Sequence, residues 1–457
     1  MMGSLLDLPG SPALERTERR VAWGLRNLPA ARVSGVVIEV SMSHYRVAGL
    51  SRFLKLGQCV AVDVDDRVQI GEVVRIDDAA ATLKPFDARC DAAIGARAFR
   101  AESLALSPSP SWKGRVIDAL GLPLDGAGPL AWGESLVPLE ANPPPPLRRA
   151  RVTTPIRTGV RVVDLFTPLC LGQRIGVFAG SGVGKSSLLA MLARAPQFDT
   201  VVIGLVGERG REVREFLDEA LGEGRATAVA VVSTGDASPM MRRLAPKTAM
   251  AVAEYFRDRG EAVLLILDSV TRFAHAARDV ALAAGEPAVA RGYAPSVFSD
   301  LPRLLERAGA GVEGSGSITG IFSVLVDGDD HNDPVADAAR GALDGHIVLD
   351  RAIADQGRYP AVNVLSSMSR LAQTVWTPEQ RKLVANLRSL IARYEETREL
   401  RLMGGYTPGA DPILDKAVQS TPRIYQAMRQ APDAPSCVDP FIELAAALRG
   451  DSKEIEG

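Results

Sequence analysis

Hydrophobic and polar positions change period along the chain, and each change marks a different kind of element. Between residues 31 and 95 the period is two. VSGVVIEV, QCVAVDVDD and VQIGEVVRI alternate apolar with polar residues, with Gly35, Gly49, Gly57 and Gly71 breaking the pattern. Short alternating segments between glycine turns predict strands, and their close spacing predicts a small closed barrel. From Val152 to about Leu371 short continuous apolar runs take over: Val201–Val206, Val229–Val232, Val263–Leu267, Ile318–Val326 and His346–Leu349. Helical segments lie between several of them, which predicts an α/β core with a doubly wound, mostly parallel sheet. From Glu379 onward the period is helical, with Leu383, Leu387, Leu390, Ile391 and Tyr394 on one face. Further helices around Leu414–Val418 and Phe441–Leu448 complete a predicted C-terminal bundle.

The remaining stretches divide the chain. In residues 1–30, Leu14, Val21, Leu25 and Leu28 share a helical face beside Arg16, Arg19, Arg20 and Arg26, so the segment reads either as an arm that docks a partner helix or an acidic lipid surface or as a frayed terminus. Residues 107–147 are rich in turns, and Pro143–Pro146 form a stiff connector. The expected parts are an arm at 1–30, a β-barrel at 31–95, an α/β core at 96–375 and a helical domain at 376–457.

Composition narrows the function classes. Lys and Arg number 53 against 55 Asp and Glu, so the chain lacks the basic excess of a nucleic-acid motor. Its barrel segment carries only Tyr45, Phe53 and Phe86 as aromatics, too few for a base-stacking platform, which points to a structural collar. Cys59, Cys90, Cys170 and Cys437 are isolated, as reduced thiols in a cytoplasmic protein would be. His44, His275, His331 and His346 have no metal-ligand spacing. The opening MMGSLLDLPGSPALERTERR does not read as a secretory signal, and no apolar run approaches the ~20 residues that span a bilayer. A soluble protein with at most a peripheral membrane role is expected.

The candidate chemistry centres on RIGVFAGSGVGKSS, Arg174–Ser187. A buried strand runs into Gly180, Ser181, Gly182, Val183 and Gly184, and Lys185, Ser186 and Ser187 open a helix. Strand, glycine loop and helix N-terminus make a phosphate cradle of backbone N–H groups in which Lys185 reaches the β- and γ-phosphates and Ser186 ligates Mg²⁺. The strict pattern has glycine where this chain has Ala179, which still permits the loop to close. In LLILDSVTRF a strand delivers Asp268, placed to hold Mg²⁺ through water. In VVIGLVGERGREVREF a strand delivers Glu208, placed to polarise the attacking water, with Arg209 beside it for phosphate oxygens. In RYPAVNVLSSMSRL, Tyr359 is suited to stacking on a base, and Arg370, eleven residues on, reads either as a plain surface arginine or as one supplied to a neighbouring subunit's γ-phosphate. The acidic loop DGDDHNDPVAD, with Asp327, Asp329, Asp330, Asp333 and Asp337, lacks calcium-loop spacing and reads as a solvated loop with helix-capping aspartates.

Taken together, the barrel, GRVID with PLDG, AGSGVGKS, GERGREV, LDSVTRFA, GHIVLDR, YPAVNV and SMSRL resemble the catalytic subunits of rotary ATP synthases and their homo-oligomeric relatives in protein export. RGYAPSVFSDLPRLLERAG, VLVDGDDHNDPVADAARGALDGHIVLDRAIADQGRYPAVNV and GGYTPGADPILDKAV are most similar to the flagellar type III export ATPases. The resemblance implies a RecA-like P-loop core, ATP and Mg²⁺ as cofactors, and a homohexamer with sites between subunits. It also implies that Glu208 is the catalytic glutamate, Tyr359 the adenine-stacking tyrosine, Arg370 the arginine finger, and Arg209 and Arg272 phosphate-site arginines. RGYAPSVFSDLP would face the central pore. Having both Glu208 and Arg370, the chain carries what complete sites between copies of itself require. The implied partners are a stalk-like regulator at the arm, a rotor-like coiled coil in the pore, the membrane export gate, and chaperone–cargo complexes at the C-terminal bundle, with no nucleic acid. The implied place is the cytoplasm, at the inner face of the cytoplasmic membrane. The rival readings are a virulence injectisome ATPase with the same chemistry, an RNA-translocating hexameric motor, and a nucleotide-binding scaffold without turnover.

Overall fold

A computed structural model of the chain describes residues 33–65, 67–326 and 333–449. The expected arm at 1–30 and the loop residues Asp327, Asp329, Asp330 and His331 lie outside the described residues.

The period-two segments form β1 (Ser34–Val40), β2 (Tyr45–Ala48), β3 (Cys59–Val64), β4 (Arg67–Ile76), β5 (Ala80–Pro85) and β6 (Arg97–Arg100), closed into a barrel in the order β1-β2-β5-β4-β3-β6. The closing strand β6 lies just past residue 95, because its Ala98 pairs with both Gly35 and Val62. Alternation sends Val37, Tyr45, Val47, Val60, Val62, Leu83 and Ala98 inward. Gly71 is required where β4 and β5 cross closely, since a Cβ there would stand 2.9 Å from the Lys84 carbonyl oxygen. Tyr45 and Phe86 are buried, so neither offers an open ring face to a nucleic-acid base.

The core is a nine-stranded sheet among the described residues. Its main path uses β7 (Val116–Ile117), β8 (Arg174–Ala179), β9 (Thr200–Val206), β10 (Ala228–Ser233), β11 (Ala262–Asp268), β12 (Ser317–Leu325), β13 (Gly345–Leu349) and β14 (Met368–Ser369). The spatial order is β14-β13-β8-β12-β11-β9-β10-β7. All neighbours along it are parallel except β14, which runs against β13. The strand β7 comes from the turn-rich stretch before the core and covers the edge of β10. Successive residues on each strand face opposite layers, which is why the strands read as unbroken apolar runs. Leu264 and Ile266 pack with Leu188–Leu192, whereas Leu265 and Leu267 pack with Met250 and Phe273.

The helices that matter for the site are α1 (Lys185–Ala193), α2 (Gly210–Glu215), α3 (Pro239–Asp258), α4 (Val270–Ala283), α5 (Pro295–Glu306), α6 (Pro334–Ala342), α7 (Pro378–Glu396), α8 (Pro412–Met428) and α9 (Pro440–Arg449). Side-chain caps set their starts. Ser238 caps α3, Ser269 caps α4, Asp411 caps α8, and Thr377 with Gln380 makes a capping box on α7. Asp333 caps α6, the role expected of the acidic loop's aspartates.

Polar contacts fix the parts to one another. Arg243 on α3 reaches Glu72 of the barrel at 2.9 Å, and Ser238 donates to the Phe86 carbonyl at 2.5 Å. On the other side, Arg388 of α7 donates to the Phe166 and Ser367 carbonyls at 2.9 and 3.0 Å. Arg161 pairs with Glu443 of α9 at 2.6 Å. The four cysteines are unpaired, and burial pushes the Cys59 and Cys170 thiols up to about 11, so they stay protonated and inert. Among the described residues no helix is long and apolar enough to cross a membrane.

Candidate nucleotide site

The site lies at the C-terminal ends of β8, β9 and β11, where a parallel sheet presents loops and helix starts together. At the end of β8, Gly182 and Gly184 take φ of +78° and +89°, a region costly for residues with a Cβ. Their turn lets α1 begin at Lys185 with its first-turn N–H groups without helical partners, the arrangement that binds anions. Ser186 and Ser187 are exposed on that first turn.

The Lys185 side chain crosses to the neighbouring strand ends. Its Nζ donates to the Asp268 carboxylate and stands 3.5 Å from Glu208 Oε1. Asp268, nearly buried, also accepts from Ser323 Oγ at 2.8 Å. Glu208 follows β9 through Gly207, whose φ is +70°, and its carbonyl is held by Gly235 N–H at 3.0 Å. The Arg272 stem lies across Gly207, where a Cβ would come 3.1 Å from it. Two buried polar atoms here have no hydrogen-bond partner, Glu208 Oε1 and Arg272 Nε. Leaving such atoms unmatched is costly, and a bound phosphate with its water satisfies both a donor and an acceptor in this place. Burial pushes the Glu208 carboxyl up to about 7, opposed by the Lys185 charge and reinforced by the Asp268 charge.

Arg209 stands just before α2 with its side chain 86% exposed, paired with Glu212 at 3.7 Å. So exposed a pair is worth at most about 1 kcal/mol, which leaves Arg209 available to an incoming phosphate.

Two adjoining cavities match the two ends of a nucleotide. One, of about 450 Å³, is lined by the glycine loop, Glu208, Arg209, Glu212 and Arg272. The other, of about 490 Å³, is lined by Leu188, Met191, Tyr359, Pro360 and Arg429–Pro432, and the two meet at Gly184 and Ser187. The Tyr359 ring sits over the loop's end, 3.4 Å from where a Gly184 Cβ would be. Among the residues singled out from the sequence, Lys185, Ser186, Glu208, Arg209, Asp268, Arg272 and Tyr359 therefore gather around one cleft.

Arg370 does not join them. It follows β14 at the outer edge of the sheet, exposed, with its N–H bonded to the Asp344 carbonyl at 2.9 Å. Ser369 pairs with Gly345 and His346 with Gly176, so Arg370 sits level with the first residues of β8. The phosphate loop leaves the far end of that strand, roughly 17 Å away at the rise of a β-strand.

The floor of the second cavity went unpredicted. The strap Arg429–Pro432 follows α8 and closes over the Tyr359 side of the cleft. Buried Gln430 ties it down, donating to the Gly159 carbonyl at 2.8 Å and accepting from Arg161 N–H at 3.0 Å. A lone glutamine after a helix has no spacing signature, so only the tertiary contacts reveal it. Arg351 is a second such residue, donating to the Ser181 carbonyl at 3.0 Å.

A glycine loop on a parallel sheet, a lysine between two strand-end carboxylates and an apolar cleft under an aromatic ring define a nucleoside-triphosphatase core. Known proteins match it. Residues 159–369 match the ATP synthase alpha/beta family, nucleotide-binding domain, and residues 376–444 match the T3SS EscN ATPase C-terminal domain. The flagellum-specific ATP synthase of Agrobacterium fabrum is 56% identical over 92% of this chain and 89% of its own. The assembled ATPase EscN of the enteropathogenic E. coli type III secretion system superposes with a TM-score of 0.84 at 38% identity, over 91% of this chain and all of that one. EscN in complex with its central stalk EscO superposes with a TM-score of 0.81 at 37% identity, over 92% of this chain and all of that one. The chain belongs to the family of type III export ATPases, and the flagellar relative's higher identity favours the flagellar branch. It is an ATPase with the barrel, P-loop core and C-terminal helices expected from its sequence.

Proposed function

We propose that the chain hydrolyses ATP at sites completed between copies of itself, and that this turnover serves export of flagellar subunits. The observation that carries the proposal is the separation of Arg370 from its own phosphate loop by the length of β8, in a cleft that otherwise holds a full set of groups.

In this reading the N–H groups of Gly182–Ser187 and Lys185 Nζ hold the phosphates. Lys185 turns partly from Asp268 to the nucleotide, which leaves the Asp268 carboxylate less neutralised. Ser186 Oγ and the Asp268 carboxylate are hard oxygen donors of the type Mg²⁺ takes. Among the described residues no cluster of three acidic, histidine or cysteine side chains could hold a metal by itself, so the ion would share its ligands with phosphate oxygens and water. When bound, Mg²⁺ neutralises charge developing on the phosphates. Glu208 orients the attacking water and accepts its proton, and Arg209 and Arg272 steady phosphate oxygens. Arg370 reaches in from the neighbouring copy. Tyr359 stacks on the base.

The base cavity also predicts substrate range. The Gln430 amide is committed at both ends, and the Arg429, Ala431 and Pro432 carbonyls already accept hydrogen bonds from Arg161, Ala434 and Arg194. These partners leave few groups committed to a base edge, so GTP is expected to turn over within about tenfold of ATP. Discrimination above a hundredfold, measured as the ratio of kcat/KM values, would reveal an edge contact.

The assembly is proposed to be a homohexamer, supported by the assembled state named for EscN, with a stalk partner, supported by the central stalk named in the EscN–EscO complex; a rotor-like coiled coil in the pore is part of the proposal. A regulator at residues 1–30, the membrane export gate, chaperone–cargo complexes and a place at the cytoplasmic membrane's inner face complete the proposal. The test is ATPase rate per subunit against protein concentration, with particle size measured in parallel. A rate that climbs as the oligomer forms supports shared sites, and a constant rate from a monomer overturns them.

A further inference from the structure

Resting on the reading of Tyr359 as the base-stacking ring, we infer that Tyr425 and Arg358 are positioning residues that hold this ring from the C-terminal helices. Tyr359 is 44% exposed, and its ring lies along the edge of the glycine loop at Gly184. Its backbone is gripped from elsewhere. The carbonyl of Tyr359 accepts from Gln430 N–H at 3.0 Å, just beyond the end of α8. The residue before it, Arg358, lays its guanidinium over the Tyr425 ring of α8, 3.8 Å from the ring centroid. The Arg358 Nε is buried without a hydrogen-bond partner, so the planar stack on Tyr425 is what that side of the guanidinium has in place of water.

Tyr425 is in turn fixed by α7. Its hydroxyl donates to Glu395, and the Tyr394 ring meets it edge to face at 6.2 Å. Two helices outside the nucleotide-binding sheet thus set where the stacking ring stands. The phosphate-binding groups depend on these helices less directly: they sit at the ends of β8, β9 and β11, and α1 meets the strap after α8 at its far end, where Arg194 donates to the Pro432 carbonyl. Base binding and phosphate binding are therefore held by different parts of the chain. A shift of α7 and α8 changes the first more than the second, and by linkage a bound base resists that shift.

The experiment uses the full chain with Tyr425→Leu, Arg358→Lys and Tyr359→Ala. It measures kcat and KM for MgATP, and the inhibition constant of inorganic tripolyphosphate, a competitor with no base. Tyr425→Leu is expected to raise the ATP KM roughly fivefold to tenfold, the range of a partly buried cation–π contact. The change appears in KM more than in kcat, and the tripolyphosphate constant stays put. Arg358→Lys keeps the charge but loses the planar stack, so it shifts KM in the same direction and serves where Tyr425→Leu fails to fold. Normal ATP KM in the folded variants, with a raised KM in Tyr359→Ala, overturns the positioning role. Equal weakening of ATP and tripolyphosphate overturns it too, because the defect would then be general. Unchanged KM in Tyr359→Ala instead defeats the stacking reading itself.

Discussion

Arg370→Ala is expected to lower the ATPase rate of the assembled protein by about 10³-fold or more, the scale on which a transition-state arginine acts in phosphoryl transfer. A bare surface arginine gives no such loss, and Arg370 is exposed with only its backbone engaged on the sheet edge. The distinguishing measurement is mixing. Lys185→Ala removes the cation between Asp268 and Glu208 and so disables the loop in the same copy. In a mixed oligomer some junctions pair an intact Lys185 site with an intact Arg370 from the next copy, and activity returns in part. Each single variant alone stays inactive. If the mixed oligomer forms and remains inactive, Arg370 does not act across the junction. If Arg370→Ala retains most of its rate, the site is complete within one chain and the geometric separation along β8 has no catalytic meaning.

Much of this geometry is legible in the amino-acid sequence. The phosphate loop could be read because its constraints are local: two left-handed glycines, a lysine and a hydroxyl in seven residues. Glu208 and Asp268 could be placed because each ends an apolar run, and a parallel sheet lines up such ends. Their meeting on Lys185 depends on β11 and β9 lying side by side, which no local pattern states. The edge strands were harder. β7 and β14 are two residues each and carry no period, so Val116–Ile117 read as turn and the site of Arg370 on the sheet had no signal. The closing strand of the barrel escaped for the same reason, being four residues with one inward alanine. The base cleft was half visible. Tyr359 stood out as an aromatic before proline, whereas Gln430 and Tyr425 come from the far end of the chain and meet it only through the packing of α8.

Glu208→Gln tests the chemistry most directly, because amide and carboxylate share a shape and differ in basicity. The variant is expected to bind ATP and to turn it over about 10² to 10⁴ times more slowly, the range for losing a positioned base. Loss of binding instead would make Glu208 a structural partner of Lys185. The pH profile carries a second signature. With its carboxyl pushed up to about 7 by burial, native Glu208 is partly protonated at neutral pH, so the native rate rises with pH through that region. The variant's residual rate lacks this limb. Stability runs the other way. A carboxyl whose folded pKa lies above its unfolded value holds its proton more tightly in the folded state, so the stability this supplies at low pH is lost as pH rises from the ordinary glutamate range toward 7. Above that window Glu208 is a buried charge beside Asp268, with Lys185 alone to offset two carboxylates. Replacing it by Gln removes that repulsion, and the melting temperature of the variant at pH 8 is expected to exceed the native one while the two converge near pH 5. A native protein that melts higher than the variant at pH 8 would mean that Lys185 more than compensates both charges, and the strain assigned to Glu208 would vanish with it. The higher melting temperature of the variant at pH 8 would mean that the site holds Glu208 at a cost to the fold, the arrangement expected of a carboxylate kept for chemistry.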